Sequence, residues 1–101
     1  MSIPLTPRQR ATLKARAHSL EPTVQIGHAG LTDAVVAETE RALTAHGLIK
    51  VKVGGAGRDE RAALVQELCS RTDATTVQSV GRVTVLWRPR DQDGPLENLT
   101  M

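Results

Sequence analysis

At 101 residues, with 40% hydrophobic and 24% charged residues, the chain suffices for one domain with a modest core and is short for two. Thirteen Lys and Arg against eleven Asp and Glu leave a net charge of +2, so the placement of cations matters more than their total. A single cysteine excludes an intrachain disulfide, no apolar run approaches the roughly 18 residues of a membrane span, and no signal-peptide h-region is visible, so a soluble cytoplasmic protein is expected.

The first helix opens on a capping box: Thr6, then Pro7 at the first helical position, then Gln9 three residues on. Leu13, Ala17 and Leu20 share one side of this helix. Arg8, Arg10, Lys14 and Arg16 surround that stripe, and no acid appears before Glu21, which makes this the most basic segment. The cations form either a solvated face or an anion-binding one. Pro22 ends the helical region.

Residues 23–32 read as a short strand, a four-residue loop with glycine at both ends, and a helix start capped by Thr32. Val24 and Ile26 point to one side. Gly27 and Gly30 carry no Cβ and can adopt positive φ, so another backbone can approach closely. The following helix offers N–H groups and the positive end of its dipole, a natural place for phosphate. Gly54-Gly55-Ala56-Gly57 repeats the spacing, but Asp59 and Glu60 follow at once and would repel an anion, whereas the first copy has only Asp33 nearby. Taken alone, either copy also fits an ordinary strand-to-helix turn.

The second helix is expected from about Thr32 to His46, with Val35, Val36, Thr39, Ala42, Leu43 and His46 on its buried side. Its outer face, with Asp33, Glu38, Glu40 and Arg41, is mixed to acidic and unsuited to nucleic acid. Gly47 suits the left-handed position beyond a helix end. Residues 48–53 then alternate: Ile49, Val51 and Val53 face one way, Leu48, Lys50 and Lys52 the other. This pattern predicts a sheet with helices on one side and an open, partly positive face, although lysines also serve simply to keep a strand soluble.

A third helix is expected from about Asp59 to Thr72, with Leu64, Val65, Leu68 and Cys69 as its apolar stripe and Cys69 a small buried residue rather than a nucleophile. Thr75–Val80 and Arg82–Trp87 read as a hairpin turning at Gly81, and Pro89 stops the last strand. The order α-β-α-β-α-β-β predicts a two-layer α/β domain with a mixed four-stranded sheet over residues 1–90, followed by a flexible tail at 91–101. Right-handed crossovers would place the second and third helices on one face if the strand order keeps winding in one direction.

Four motifs in this order resemble the CRM domain, the chloroplast RNA splicing and ribosome maturation family: residues 26–32, residues 46–52, residues 77–81, and Leu86-Trp87-Arg88-Pro89. With the opening residues 5–14, the likeness covers about residues 3–90 and is nearest the small bacterial stand-alone YhbY type. The resemblance implies a fold similar to the C-terminal domain of translation initiation factor three. It also implies RNA binding through the GxxG loop and neighbouring basic surface, with large-subunit ribosomal precursors (pre-50S particles) as partners. Gly27 and Gly30 match the family's loop glycines; Lys50 and Lys52 match its two strand lysines. Two positions depart from it. The loop holds His28 and Ala29 where the family often has a lysine or arginine, and a histidine is mostly uncharged at neutral pH unless an anion sits beside it. Gly47 stands where a larger polar residue is usual.

The leading expectation is a non-catalytic binder of structured ribosomal RNA. Gly27, His28, Ala29 and Gly30 would form the loop contact, and Arg8, Arg10, Lys14, Lys50 and Lys52 the salt-sensitive surface. The near absence of aromatic residues argues against base-stacking recognition of single strands. A protein-interaction module docking a ribosomal protein or assembly factor is the alternative; it would show an apolar patch on the open sheet face. An enzyme fits least, since His18, His28 and His46 lack metal-ligand spacing and no nucleophile or Walker motif is present. No cofactor, metal, membrane or DNA partner is expected, and the protein is expected to be a monomer.

Overall fold

Thr6 caps the first helix, α1 (Pro7–Ala17), as its sequence predicts: Thr6 Oγ1 accepts from the Gln9 amide at 3.1 Å and Gln9 Oε1 accepts from the Thr6 amide at 3.0 Å. The computed structural model describes residues 5–55 and 57–89; the expected tail at 91–101 lies outside them. The remaining elements are β1 (Pro22–Ile26), α2 (Asp33–His46), β2 (Leu48–Val53), α3 (Arg58–Thr72), β3 (Thr75–Val80) and β4 (Val83–Trp87). The expected α-β-α-β-α-β-β order and mixed four-stranded sheet are both present.

The strands lie in the order β1-β2-β4-β3. β1 pairs with β2 in parallel, while β4 runs antiparallel to both its neighbours. The hairpin closes through Gly81, at φ +59°, with Val80 paired to Val83. That two-residue loop is the tight connection expected from a glycine at its first position. Helices α2 and α3 share one face, as right-handed crossovers require. There Ala42, Leu43, Val65 and Leu68 pack on Val24, Ile26, Ile49, Val51, Val53 and Leu86.

The opposite face departs from the two-layer expectation. Leu13 and Ala17 of α1 pack on Leu48, Val77, Val85 and Trp87, so a third layer covers part of the face that the lysine alternation left open. The physical reason is Leu48, which shares the lysines' side of β2 but extends an apolar surface contributed by β3 and β4. The face stays uncovered toward Lys52 and Gln25, which are exposed and paired across β1 and β2. His46, predicted on the buried side of α2, is exposed; Gly47 follows at φ +76° and turns the chain into β2. Gly47 also donates its amide to Leu43 O at 2.8 Å, and its positive φ accounts for glycine in place of a larger residue there.

Candidate nucleic-acid interface

Because β1 and β2 run parallel, with Ile26 beside Val53, both glycine loops leave the sheet at the same end. The two loops that compete as anion sites in the sequence are therefore neighbours. The Gly54 amide donates to Ile26 O at 2.9 Å, which ties the second loop to the start of the first. Within the first loop, the Gly30 amide donates to Gly27 O at 3.0 Å and closes the turn. Gly30 has φ +75°, where a side chain is strained, so glycine there is a backbone requirement.

Gly27 differs. Its φ is not positive, and a Cβ built on it would meet nothing within 4 Å. Neither strain nor packing calls for glycine at 27. What its missing side chain provides is open access to the loop backbone.

His28 turns toward the second loop. A Cβ on Gly55 would fall 2.8 Å from His28 Nδ1, and Gly55 itself has φ +73°. The imidazole therefore rests over Gly55, and the contact couples the loops. Sequence spacing gives no sign of it, because the two residues belong to different strand-to-helix turns.

The helix starts beyond the loops are unequal in charge. Thr32 Oγ1 accepts from the Val35 amide at 3.2 Å and satisfies one of the first-turn donors of α2. At α3 the N-cap, Gly57, contributes no side-chain acceptor, and Asp59 and Glu60 occupy the first turn. Their carboxylates complement the α3 dipole and disfavour an anion there, in keeping with the sequence reading.

The basic residues divide by what they touch. Lys52 is exposed and lies across from Gln25, two residues before Gly27; Lys50 is half-buried on the same face, nearer α1. Arg8 and Lys14 are exposed on α1. The side chains of these four cations make no hydrogen bond or ion pair with other described residues. Arg10 is committed elsewhere: one guanidinium nitrogen donates to Thr76 O at 2.8 Å and to Val77 O at 2.6 Å. The β3–β4 register slips between Thr76 and Gln78, and Arg10 supplies a donor to carbonyls at that bulge. Arg88 is also structural. It donates to both carboxylate oxygens of Glu40 at 2.9 Å, to Thr72 O at 2.9 Å and to Thr44 Oγ1 at 3.0 Å, pinning the end of β4 to α2 and α3.

Cys69 packs against the core and approaches Thr76 Oγ1 at 3.4 Å. Burial pushes its thiol pKa up, against a smaller opposing effect of the hydrogen bond to Thr76. A thiol held protonated is a poor nucleophile. Among the described residues, no cluster of His, Cys, Asp or Glu is placed to hold a metal, and no helix is long and apolar enough to cross a membrane.

A family model described as the CRS1 / YhbY (CRM) domain matches residues 5–88. The chain belongs to the CRM family. A relative from Haemophilus influenzae, named an RNA-binding protein, is 43% identical over 88 residues, covering 87% of this chain and 89% of that one. A probable RNA-binding protein of Pseudomonas aeruginosa is 42% identical over 96 residues, covering 95% and 90% of the two chains. The fold is similar to that of a solution structure from Staphylococcus aureus, described there as a candidate RNA-binding protein. It superposes with a TM-score of 0.75 at 30% identity, over 85% of this chain and 90% of that one.

Proposed function

We propose that this CRM domain binds structured RNA without catalysing a reaction on it, and that the RNA is ribosomal, met during assembly of the large subunit. The observation that carries the reading is the open loop backbone at Gly27, at the end of a strand pair whose Lys52 is exposed and unpaired among the described residues. A phosphate there meets loop and helix N–H groups, while Lys50, Lys52, Arg8 and Lys14 supply the long-range attraction. The names of the relatives support RNA as the ligand class. The ribosomal target rests on the family resemblance.

At the glycine loop, recognition is of shape and backbone. Trp87, the one aromatic residue, is only 3% exposed and cannot act as a stacking platform. A protein-docking role without RNA calls for an apolar patch on the uncovered sheet face. Val80, 62% exposed, is the one large hydrophobic so exposed among the described residues, and an isolated residue of this kind is ordinary.

The test is binding to large-subunit precursor RNA across a salt series, comparing wild type, Lys50→Ala/Lys52→Ala and Gly27→Asp. Two lost phosphate contacts reduce the slope of log K against log salt by about 1.4–1.8. Gly27→Asp has space for its side chain, so it abolishes binding in a protein whose thermal unfolding is unchanged. Equal binding by all three proteins would remove the loop from the interface.

A further inference from the structure

On the face opposite α1, between α3 and the β3–β4 hairpin, lies an open cleft of about 780 Å³. It exists because the edge strand turns polar side chains to this face, where Thr76 and Ser79 give an overlying helix little to bury. Thr84 on β4 adds a third hydroxyl, and Ser79 Oγ and Thr84 Oγ1 lie 3.2 Å apart. Beneath them the cleft rests on the buried core residues Val53, Val65 and Ala74, and the exposed Ala62 of α3 adds an aliphatic surface at its side. Three arginines line the cleft: Arg58 and Arg61, neighbours on one side of α3, and Arg82 in the hairpin loop. Among the described lining residues there is no carboxylate, and Asp59 and Glu60 are outside the lining.

We propose that this cleft is a second RNA-contacting site, which takes one unpaired nucleotide with its phosphate on the arginines. The inference rests on the RNA-binding reading above and adds a site apart from the glycine loop. Guanidinium groups match phosphate oxygens in geometry as well as charge. The hydroxyls of the exposed Ser79 and the half-buried Thr76 can exchange hydrogen bonds with ribose and base edges, and Ala62 with the carbon stems of the arginines can lie along a base. The volume falls in the range of about 300–1,000 Å³ usual for small-ligand sites. Position connects the cleft to the loop: the Val53 amide donates to Arg82 O at 2.8 Å, and the next residue, Gly54, donates to Ile26 O at 2.9 Å. The hairpin loop and the glycine loops thus occupy one end of the sheet, within reach of a single RNA.

The test is amide-resolved NMR on the full chain with four probes: adenosine monophosphate, adenosine, an RNA hairpin with a single-nucleotide bulge, and the same hairpin fully paired. The expected result is that adenosine monophosphate shifts the amides of Gly81, Arg82 and Thr84, while adenosine binds at least tenfold more weakly. The bulged hairpin shifts these amides together with those of Gly27–Gly30, and the paired hairpin shifts the loop set alone. Arg58→Gln/Arg82→Gln removes the cleft response and keeps the loop response; both arginines are exposed, so the core is undisturbed. A bulged hairpin that moves only the loop amides overturns the second site and leaves the RNA reading intact. Hairpins that move neither set defeat that reading, and this proposal with it. A glutamate-rich peptide that shifts the cleft amides as strongly as adenosine monophosphate also overturns it, in favour of a protein partner.

Discussion

Alanine at position 55 meets two separate obstacles, and a double-mutant cycle can tell them apart. The first is backbone conformation. Gly55 has φ +73°, and an L-residue held there costs about 1–2 kcal/mol. The second is His28, whose Nδ1 stands 2.8 Å from the position of the new Cβ. The imidazole is exposed and can swing aside, so its displacement costs about as much as an off-rotamer side chain, roughly 0.5–1.5 kcal/mol. Gly55→Ala is therefore expected to lose about 1.5–3.5 kcal/mol in the wild-type background. With His28→Ala in place, only the backbone part, about 1–2 kcal/mol, should remain. Urea denaturation of the four proteins gives the coupling directly, expected at about 0.5–1.5 kcal/mol. A coupling of zero would show that His28 does not rest on Gly55, and the picture of two joined loops would go with it.

Arg10→Ala is expected to destabilise the fold by about 1–3 kcal/mol through loss of charged hydrogen bonds at the β3 bulge, whereas Arg8→Ala should stay within about 0.5 kcal/mol; thermal unfolding of both variants distinguishes them. Leu68 is fully buried between α3 and the sheet, so Leu68→Ala should cost about 2–5 kcal/mol in urea. For Cys69 the sign follows from its raised pKa. The stability gained from the protonated thiol is fully present below the unfolded-state value of about 8.5 and is lost as pH rises through the higher folded value. Unfolding midpoints at pH 7 and pH 9.5 should therefore differ more in wild type than in Cys69→Ala, and equal differences would contradict the burial argument.

Local patterns carried the elements. The Thr6–Gln9 capping box, the alternation from Leu48 to Val53 and the glycine at 81 each act within a few residues, and each marks the local element it predicts: a capped helix, a strand and a tight hairpin. What α1 packs against was not legible in the same way. Its partners Leu48, Val77, Val85 and Trp87 come from three strands, and only their pairing makes them one surface. The commitment of Arg10 to β3 depends on a bulge at Val77 that no composition signal marks. His46 satisfied the helical period yet is exposed, because the period gives the direction of a side chain and not how far the core extends beneath it. The glycine loops appeared as alternatives because spacing measures each alone; parallel pairing of β1 and β2 brings them together.

Sorting the cations by partner decides which substitutions can report on binding. Arg10 and Arg88 hold main-chain carbonyls, and Arg88 also holds Glu40, so removing either perturbs the fold before it says anything about a ligand. A loss of RNA affinity in Arg10→Ala would therefore be ambiguous, although sequence alone places Arg10 in the same basic group as Arg8 and Lys14. Lys50 and Lys52 are the sounder probes. Their carbon stems lie along a sheet face whose packing is supplied by Leu48, Val85 and Trp87, and their ammonium groups have no protein partner among the described residues. Truncating them removes charge at little structural cost. Gly27 is informative for the opposite reason: a side chain can be added there without strain or collision, so any effect on binding reflects access to the loop backbone. A binding defect shared by Gly27→Asp and the lysine pair, with unfolding unchanged in both, would assign the interface to the loop and strand rather than to the integrity of the domain.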